Sequence, residues 1–132
     1  MPAARRAAFG LPFNSISVAR FSQANRLRGP DSFRGVLATA AFGRGRIVSV
    51  YAKPNERSLA RLGIVIGRRV ANRAVDRNYC KRRIRETFRV FQAELNGLDV
   101  VVRFGKSWDR RLKADLRGEI RELFLTLTQC RS

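Results

Sequence analysis

The feature that most constrains the fold is a helical apolar pattern inside a strongly basic segment. Residues 68–86 read RRVANRAVDRNYCKRRIRE, in which Asp76 is the only acidic residue before Glu86. From about residue 72 to residue 95, apolar side chains recur at about 100° per residue and form one stripe, made of Cys80, Ile84, Phe88, Phe91 and Leu95. This stripe predicts a long helix packed against another layer, so the basic segment belongs to a folded core rather than to a solvated tail.

Five further segments have the periodicity of regular secondary structure. Three are rich in β-branched and other apolar residues, which predicts strands at 46–53, 62–69 and 98–104. The first two strands are predicted to pair as a hairpin across the polar loop 54–60. Helical spacing of apolar residues predicts a short helix over about 30–40 and a last helix over about 108–128. The order α-β-β-α-β-α predicts one small α+β domain, with helices packed on a central β-sheet.

The composition is that of a folded chain with a basic extension. The 132 residues are 45% apolar, which is enough for a single core. Residues 1–20 contain no acidic residue, and we expect a basic, disordered N-terminal arm, with an organellar transit peptide as the alternative. The folded domain is then expected over 21–132. No apolar run approaches the roughly 20 residues of a membrane-spanning helix, so a cytoplasmic protein without membrane contact is expected.

The residues that usually carry catalysis or metals are scarce. The chain has no histidine and two cysteines, Cys80 and Cys130, so a zinc site of four Cys and His ligands is excluded. Two free thiols are favoured over a disulfide. The carboxylates are scattered, with no paired motif to hold two metal ions for phosphodiester cleavage. Residue chemistry alone therefore favours a binding protein over a nuclease, with no catalytic residue, metal site or bound cofactor in the polypeptide.

The charge indicates the class of partner. With 28 basic and 10 acidic residues the net charge is +18, which fits nucleic acid, an anionic membrane surface or an acidic protein. Arginine far outnumbers lysine, and its planar guanidinium suits phosphates and base faces, which favours nucleic acid. Like charges spaced four apart on a helix repel one another, as do Arg73, Arg77, Lys81 and Arg85. A polyanion along this row would relieve the repulsion, whereas a merely solubilising face would more often mix signs.

Several of these segments together resemble the protein subunit of bacterial ribonuclease P. Residues 77–86 (RNYCKRRIRE) follow the family pattern of an Arg-Asn pair, a Lys-Arg pair and Arg-Glu. Residues 61–69 (RLGIVIGRR) are similar to the strand that precedes this helix, and the openings 21–27 and 31–33 also fit, as does 98–104. The resemblance spans about residues 21–128. The turn 71–76 (ANRAVD) has one residue more than the usual pattern, so Arg77 matches the family better than Arg73 does.

The resemblance implies a function in tRNA maturation. In this family an RNA carries the active site and removes the 5′ leader of precursor tRNA, Mg²⁺ serves that RNA, and the protein binds both the catalytic RNA and the leader. The implied fold is that of ribosomal protein S5 domain 2, with a left-handed βαβ crossover, in a protein that is itself monomeric. The residues that would contact the catalytic RNA are Arg73, Arg77, Asn78, Lys81, Arg82, Arg85 and Arg89.

A second set of residues would contact the leader in a cleft. Single-stranded RNA needs aromatic platforms beside basic groups, and the implied set is Phe33, Arg46, Tyr51, Arg68 and Arg69. Phe33 fits the core as well as the cleft because of its helical spacing with Val36. Tyr51 is expected on the open side of the sheet. Trp108 is expected to pack as an anchor at the start of the last helix.

Two alternatives from other classes remain at this point. A ribosomal or RNA-chaperone protein could have the same size and charge, and would bind RNA without supporting cleavage of precursor tRNA. A basic DNA-binding module is the second, although no helix-turn-helix pattern is visible.

Overall fold

The structure is a computed structural model that describes residues 23–39, 41–105 and 108–131, so the predicted arm lies outside the described residues. Within these ranges the strands are β1 (Gly43–Arg44), β2 (Val48–Pro54), β3 (Arg61–Val65) and β4 (Leu98–Phe104). The α-helices are α1 (Pro30–Leu37), α2 (Ala74–Phe91) and α3 (Lys113–Arg131), and short 3₁₀ turns occupy Gln23–Asn25, Gln92–Leu95 and Arg110–Leu112. The predicted α+β architecture is confirmed. No helix in these ranges is long and apolar enough to cross a membrane.

The sheet has the order β1-β2-β4-β3. The hairpin predicted between segments 46–53 and 62–69, which correspond to β2 and β3, is therefore wrong. Strand β4 lies between them, antiparallel to β2 and parallel to β3. The loop between β2 and β3 is hydrogen-bonded on both sides to Gly97, the residue before β4. The Asn55 N–H donates to the Gly97 carbonyl at 2.9 Å, and the Gly97 N–H donates to the Leu59 carbonyl at 3.3 Å. The fully buried run Val100–Val102 explains the central position of β4, because a central strand is covered on both faces.

Other boundaries differ from prediction by a few residues. Strand β3 ends at Val65, and residues 68–70 form a turn instead of continuing the strand to 69. The segment 43–44, expected only to end the first helix, forms the edge strand β1 against β2. Helix α2 gives way to a 3₁₀ turn for its predicted last residues, and Gly97 then adopts φ 91°, the left-handed conformation that glycine favours. The βαβ unit β3-α2-β4 is present, and its left-handed path stays a prediction.

The larger core lies between the sheet and helices α2 and α3. All five residues of the predicted α2 stripe are buried in it, which confirms the stripe. Helix α3 contributes Leu116, Ile120, Phe124 and Leu127. Phe124 was not predicted, yet its ring meets Phe88 edge-on with centroids 6.0 Å apart. Trp108 packs against this core between Tyr79 and Phe104, as expected of an anchor.

The two cysteines are free and differ sharply in environment. Cys80 is fully buried, whereas Cys130 is exposed on α3. Burial, assisted by the nearby Asp76 carboxylate, raises the pKa of the Cys80 thiol to about 12. Thiolate is the reactive form, so Cys80 should be inert in the folded protein.

We therefore expect iodoacetamide at about pH 8 to alkylate one thiol of the native protein, and both after unfolding. Mass spectrometry of the peptides should place the fast label on Cys130. A Cys130→Ser variant should take up almost no label until denaturant is added. Rapid labelling of Cys80 in that variant would contradict the burial described here.

Candidate nucleic-acid interface

The predicted polar residues of α2 lie along one flank of the helix and around its N-terminal end. Arg73 is the residue immediately before the helix, and it is exposed. Asn78, Arg82 and Arg89 are also exposed on the outward side. Arg77, Lys81 and Arg85 are half-buried along the side nearer the sheet. We call these seven residues the α2 band: Arg73, Arg77, Asn78, Lys81, Arg82, Arg85 and Arg89.

Arg77 is less outward than its position in the sequence predicts. It lies in nearly the same direction as Cys80 and Ile84 but nearer the N-terminus, and its Nη1 donates to the Ala71 carbonyl at 2.8 Å. The bond closes the turn in front of α2, because Ala71 is buried and its carbonyl precedes the first turn of the helix. Arg77 therefore shapes the start of the helix as well as contributing charge to the band.

The sheet side of the α2 band lines a small basic pocket at the β3 edge. Lys81 and Arg85 meet Arg26, Phe33 and the backbone of β3 around a cavity of about 140 Å³. Burial, and then repulsion from Arg26, lowers the pKa of the Arg85 guanidinium. A cation desolvated beside a like charge gains most from an anion, so this pocket is suited to a phosphate.

Arg26 was given no role from the sequence. Its backbone forms a parallel bridge with Leu62, and the next residue, Leu27, donates its N–H to the Leu62 carbonyl at 3.0 Å. The segment before α1 therefore extends the sheet beyond β3, which brings Arg26 to Arg85. Only this long-range pairing makes them neighbours, so no local pattern could have predicted the pocket.

The outward side of the α2 band continues towards α3. Asn78 and Arg82 line a groove with Tyr79, Arg83 and Arg117. The Tyr79 ring is flanked by two cations, with the Lys113 Nζ 4.6 Å and the Arg83 Cζ 5.6 Å from its centroid. Arg83 also pairs with Glu86 at 2.8 Å. Lys113 and Arg117 of α3 were missed because the sequence does not specify how α2 and α3 pack together.

The second face of the sheet is covered by α1, which corrects the prediction for Tyr51. This side chain was expected on an open face, but it is only 8% exposed and packs with Leu27, Val36 and Val101. Tyr51 does lie on the face opposite α2 and α3, since its neighbours Val50 and Ala52 face the larger core. The alternation along β2 therefore predicted the face but not its cover, because α1 packs directly over this position.

Phe33 is half-buried and belongs to both the core and the pocket. Its ring packs at the edge of the cluster under α1 and also lines the pocket with Lys81 and Arg85. A Cβ at Gly63 would lie 2.5 Å from Phe33 Cε1, so only glycine allows the ring to approach β3 this closely. Phe33 therefore belongs partly to the core, and its contact with the leader stays a prediction.

The three arginines predicted at strand ends lie at one end of the sheet. Arg46 lies two residues before β2 begins, and Arg68 and Arg69 follow β3 in an exposed turn. The register pairs Val48 with Phe104 and Val65 with Arg103, so the start of β2 and the ends of β3 and β4 coincide. We call this cluster, with Arg103, the basic sheet end.

Arg103 was missed as a member of this cluster. It lies on the α1 side of β4, opposite Ser49 of β2 and Val65 of β3, and it is exposed. From the sequence, an arginine in the strand segment 98–104 indicates only that its side chain points to solvent, and not which residues lie beside it. Its proximity to Arg46 follows from the antiparallel register, which the hairpin prediction did not include.

Among the described residues, no group of three or more His, Cys, Asp and Glu side chains is placed to hold a metal ion. The most buried carboxylate, Asp99, is bonded to Arg61 and Asn55 at the opposite end of β4. The arrangement offers cations and amides for binding a polyanion.

Fold and surface together define a small basic α+β protein with a surface for a polyanion. The family model for ribonuclease P matches residues 21–128. The chain is 39% identical over 117 residues to the ribonuclease P protein component of Chromobacterium violaceum, covering 89% of this chain and 97% of that protein. It therefore belongs to the ribonuclease P family, as a protein component of the ribonucleoprotein enzyme that matures the 5′ ends of tRNA.

Solved structures agree with this assignment. The RNase P protein of Staphylococcus aureus aligns with a TM-score of 0.62 and 25% identity over 83% of this chain and 97% of that one. The RNase P protein of Thermotoga maritima aligns with a TM-score of 0.59 and 28% identity over 78% of this chain and 94% of that one. The resemblance read from the sequence is confirmed, and none of these relatives is a ribosomal, RNA-chaperone or DNA-binding protein.

Proposed function

We propose that the α2 band binds the catalytic RNA of the holoenzyme, while the basic sheet end and the α1 face hold the 5′ leader of precursor tRNA. The observation that carries the catalytic-RNA part of this proposal is the pocket at the β3 edge, where Lys81, Arg85 and Arg26 meet and where burial and Arg26 lower the pKa of Arg85. Cations desolvated side by side repel one another, and an RNA phosphate seated between them would offset that repulsion.

The leader contacts differ in kind from the α2 contacts. A flexible single strand is held by phosphate contacts spread along its path and by a few base-stacking surfaces. Arg46, Arg68 and Arg69 supply exposed cations at the sheet end. The half-buried Phe33 ring supplies an aromatic surface where the pocket at the β3 edge meets α1. Tyr51 is buried, so in this proposal it packs beneath α1 and supports that helix, and it does not stack on a base.

The polypeptide takes no chemical step in this proposal. Hydrolysis of a phosphodiester requires an activated water and stabilisation of the developing charge, which the RNA and its Mg²⁺ ions supply. The protein lowers the repulsion between two RNA molecules and so reduces the Mg²⁺ concentration that their association needs. We place the protein in this role as a cytoplasmic monomer bound to one catalytic RNA.

Reconstitution with a bacterial ribonuclease P RNA at low Mg²⁺ tests the proposal. We expect the chain to stimulate 5′ cleavage, and to tighten binding of precursor tRNA with a leader more than that of mature tRNA. An Arg68→Ala/Arg69→Ala variant should lose the preference for the leader while still binding the catalytic RNA.

The matched control is Arg111→Ala/Arg121→Ala, which removes the same charge from exposed positions on the α3 side. It should retain the preference for leader-bearing substrate. Absence of any stimulation by the unmodified chain would reject the proposal. An equal loss of preference in both double variants would mean that total charge, and not the basic sheet end, recognises the leader.

A further inference from the structure

One carboxylate of α3 is committed to the backbone at the basic sheet end. Glu119 Oε1 accepts from the Arg46 N–H, and Oε2 accepts from the Ile47 and Val48 N–H groups, each at 2.8 Å. Three consecutive backbone donors thus converge on one half-buried side chain. Bonds from N–H groups to an ionised carboxylate are stronger than those between neutral groups, so this contact fixes the entry into β2 against α3.

The sequence of the turn is adapted to this contact. A Cβ at Gly45 would overlap the Glu119 carboxyl group, so a larger residue at 45 would displace that carboxyl group from the backbone N–H groups it binds. The Gly45 N–H donates to the Val48 carbonyl at 2.7 Å, which closes the turn on the other side. Residues 45–47, which connect β1 to β2, are therefore held by Glu119, with Arg44 at the end of β1 and Arg46 within the connection.

Two arginines border this connection, and Glu119 does not neutralise their charges. Arg44 and Arg46 flank Gly45, and both side chains are exposed. Within the ranges that the structure describes, neither forms a salt bridge, although a carboxylate lies beside them. The oxygen atoms of Glu119 face the backbone N–H groups instead, so the acid orders the turn without pairing with its cations.

We infer that Glu119 is a positioning residue, and that it holds Arg44 and Arg46 as a preformed pair of phosphate contacts for the leader beside Arg103. This rests on the proposed leader role of the basic sheet end, and it adds Arg44 to that site. An arginine on a fixed turn loses less conformational freedom on binding than one on a mobile loop, so the fixed turn increases affinity. The effect of Glu119 is exerted through the two arginines.

The test is a Glu119→Gln variant of the full chain, assembled with a bacterial ribonuclease P RNA. The amide keeps the shape of the side chain, but only one of its two polar atoms can accept, so at least one of the three backbone bonds is lost. Removing a negative charge would by itself tighten binding to RNA. A loss of affinity therefore has the opposite sign from the charge effect.

We expect Glu119→Gln to weaken binding of leader-bearing precursor tRNA about fivefold, with no change for mature tRNA lacking a leader. The control is Glu122→Gln, which removes the same charge from an exposed position on α3 and should not weaken either complex. Thermal unfolding of each variant checks that the domain is folded. Equal effects of the two variants would overturn the inference while leaving the leader role of the protein intact.

A double-mutant cycle separates positioning from general stability. Arg44→Ala/Arg46→Ala changes only exposed side chains, and it should reproduce the leader-specific loss. Adding Glu119→Gln to that variant should cause no further loss, because the side chains it orders are gone. An additional loss of similar size would show that Glu119 acts by another route and would overturn the inference. If the unmodified chain does not distinguish leader-bearing from leaderless tRNA, the proposed leader function itself fails.

Discussion

Replacing Lys81 and Arg82 together by alanine is expected to weaken binding of the chain to the ribonuclease P RNA about 20-fold at about 0.15 M monovalent salt. The two side chains sample both sides of the α2 band: Lys81 lines the pocket at the β3 edge, and Arg82 lines the groove shared with α3. Each phosphate contact contributes about 0.7 to 0.9 to the slope of log affinity against log salt, so its contribution to the affinity grows as salt is lowered.

The measurement is a salt titration of the binding constant by filter binding or fluorescence anisotropy. The magnitude of the slope should fall by about 1.5 in the double variant, and the affinities of variant and unmodified protein should converge near 1 M salt. Arg111→Ala/Arg121→Ala serves again as the control of equal charge and should lose much less. The α2 band would be excluded as the main contact if both variants lost the same affinity and the same slope.

The helical part of the fold was predictable because its buried residues recur with the period of an α-helix. Cys80, Ile84 and Phe88 recur every four residues, and all three are fully buried. Such a pattern is local, since each residue needs only its own helix to define the face it shares with the others. Most of the band follows from the same argument, because its residues from Asn78 onward lie outside that face, whereas Arg73 and Arg77 continue the face at its N-terminal end.

Strand pairing was not predictable in the same way. A hairpin between 46–53 and 62–69 was the simplest local solution, but β4 enters between the two strands from beyond α2. What favours this arrangement is a set of contacts distant in sequence, such as Asn55 and Arg61 with Asp99. None of these residues is informative before its partner is known.

The residues of the candidate site likewise divide into those predictable from local spacing and those that depend on contacts distant in sequence. Charges confined to α2 could be located from spacing, whereas Arg26, Arg44 and Arg103 gain meaning only from the register and from helix docking. Tyr51 was placed on the correct face but wrongly described as open, because the cover comes from α1. Glu119 could not be predicted at all, since a glutamate on an amphipathic helix is ordinarily a solvent-facing residue.

Asp99 is expected to be the polar side chain on which the stability of the sheet most depends. It is buried at the start of β4, where Oδ1 accepts from Arg61 Nε at 2.7 Å and from Asn55 Nδ2 at 2.8 Å, and Oδ2 accepts from Arg61 Nη2 at 2.7 Å. Asp99→Ala leaves the Arg61 charge largely buried without its partner, which should lower the free energy of unfolding by about 3 kcal/mol near pH 7. Asp109→Ala, at the exposed pair with Arg111, should change it little.

The pH dependence of unfolding distinguishes a lost ion pair from a simple packing defect. Burial alone would raise the pKa of Asp99, but hydrogen bonds from Arg61 and Asn55, with the charges of Arg61 and Arg57, lower it below the ordinary value of 3.8. Because the folded pKa is the lower one, Asp99 stabilises the protein fully above about pH 5, and this contribution is lost as the pH falls through the ordinary Asp range and below. Urea denaturation from pH 7 to about pH 3 should therefore show the unmodified protein losing stability more steeply than Asp99→Ala, so that the two curves converge in acid. Parallel curves would mean that the Asp99 carboxylate is not ion-paired in the folded state, and the 3 kcal/mol would then have to come from packing alone.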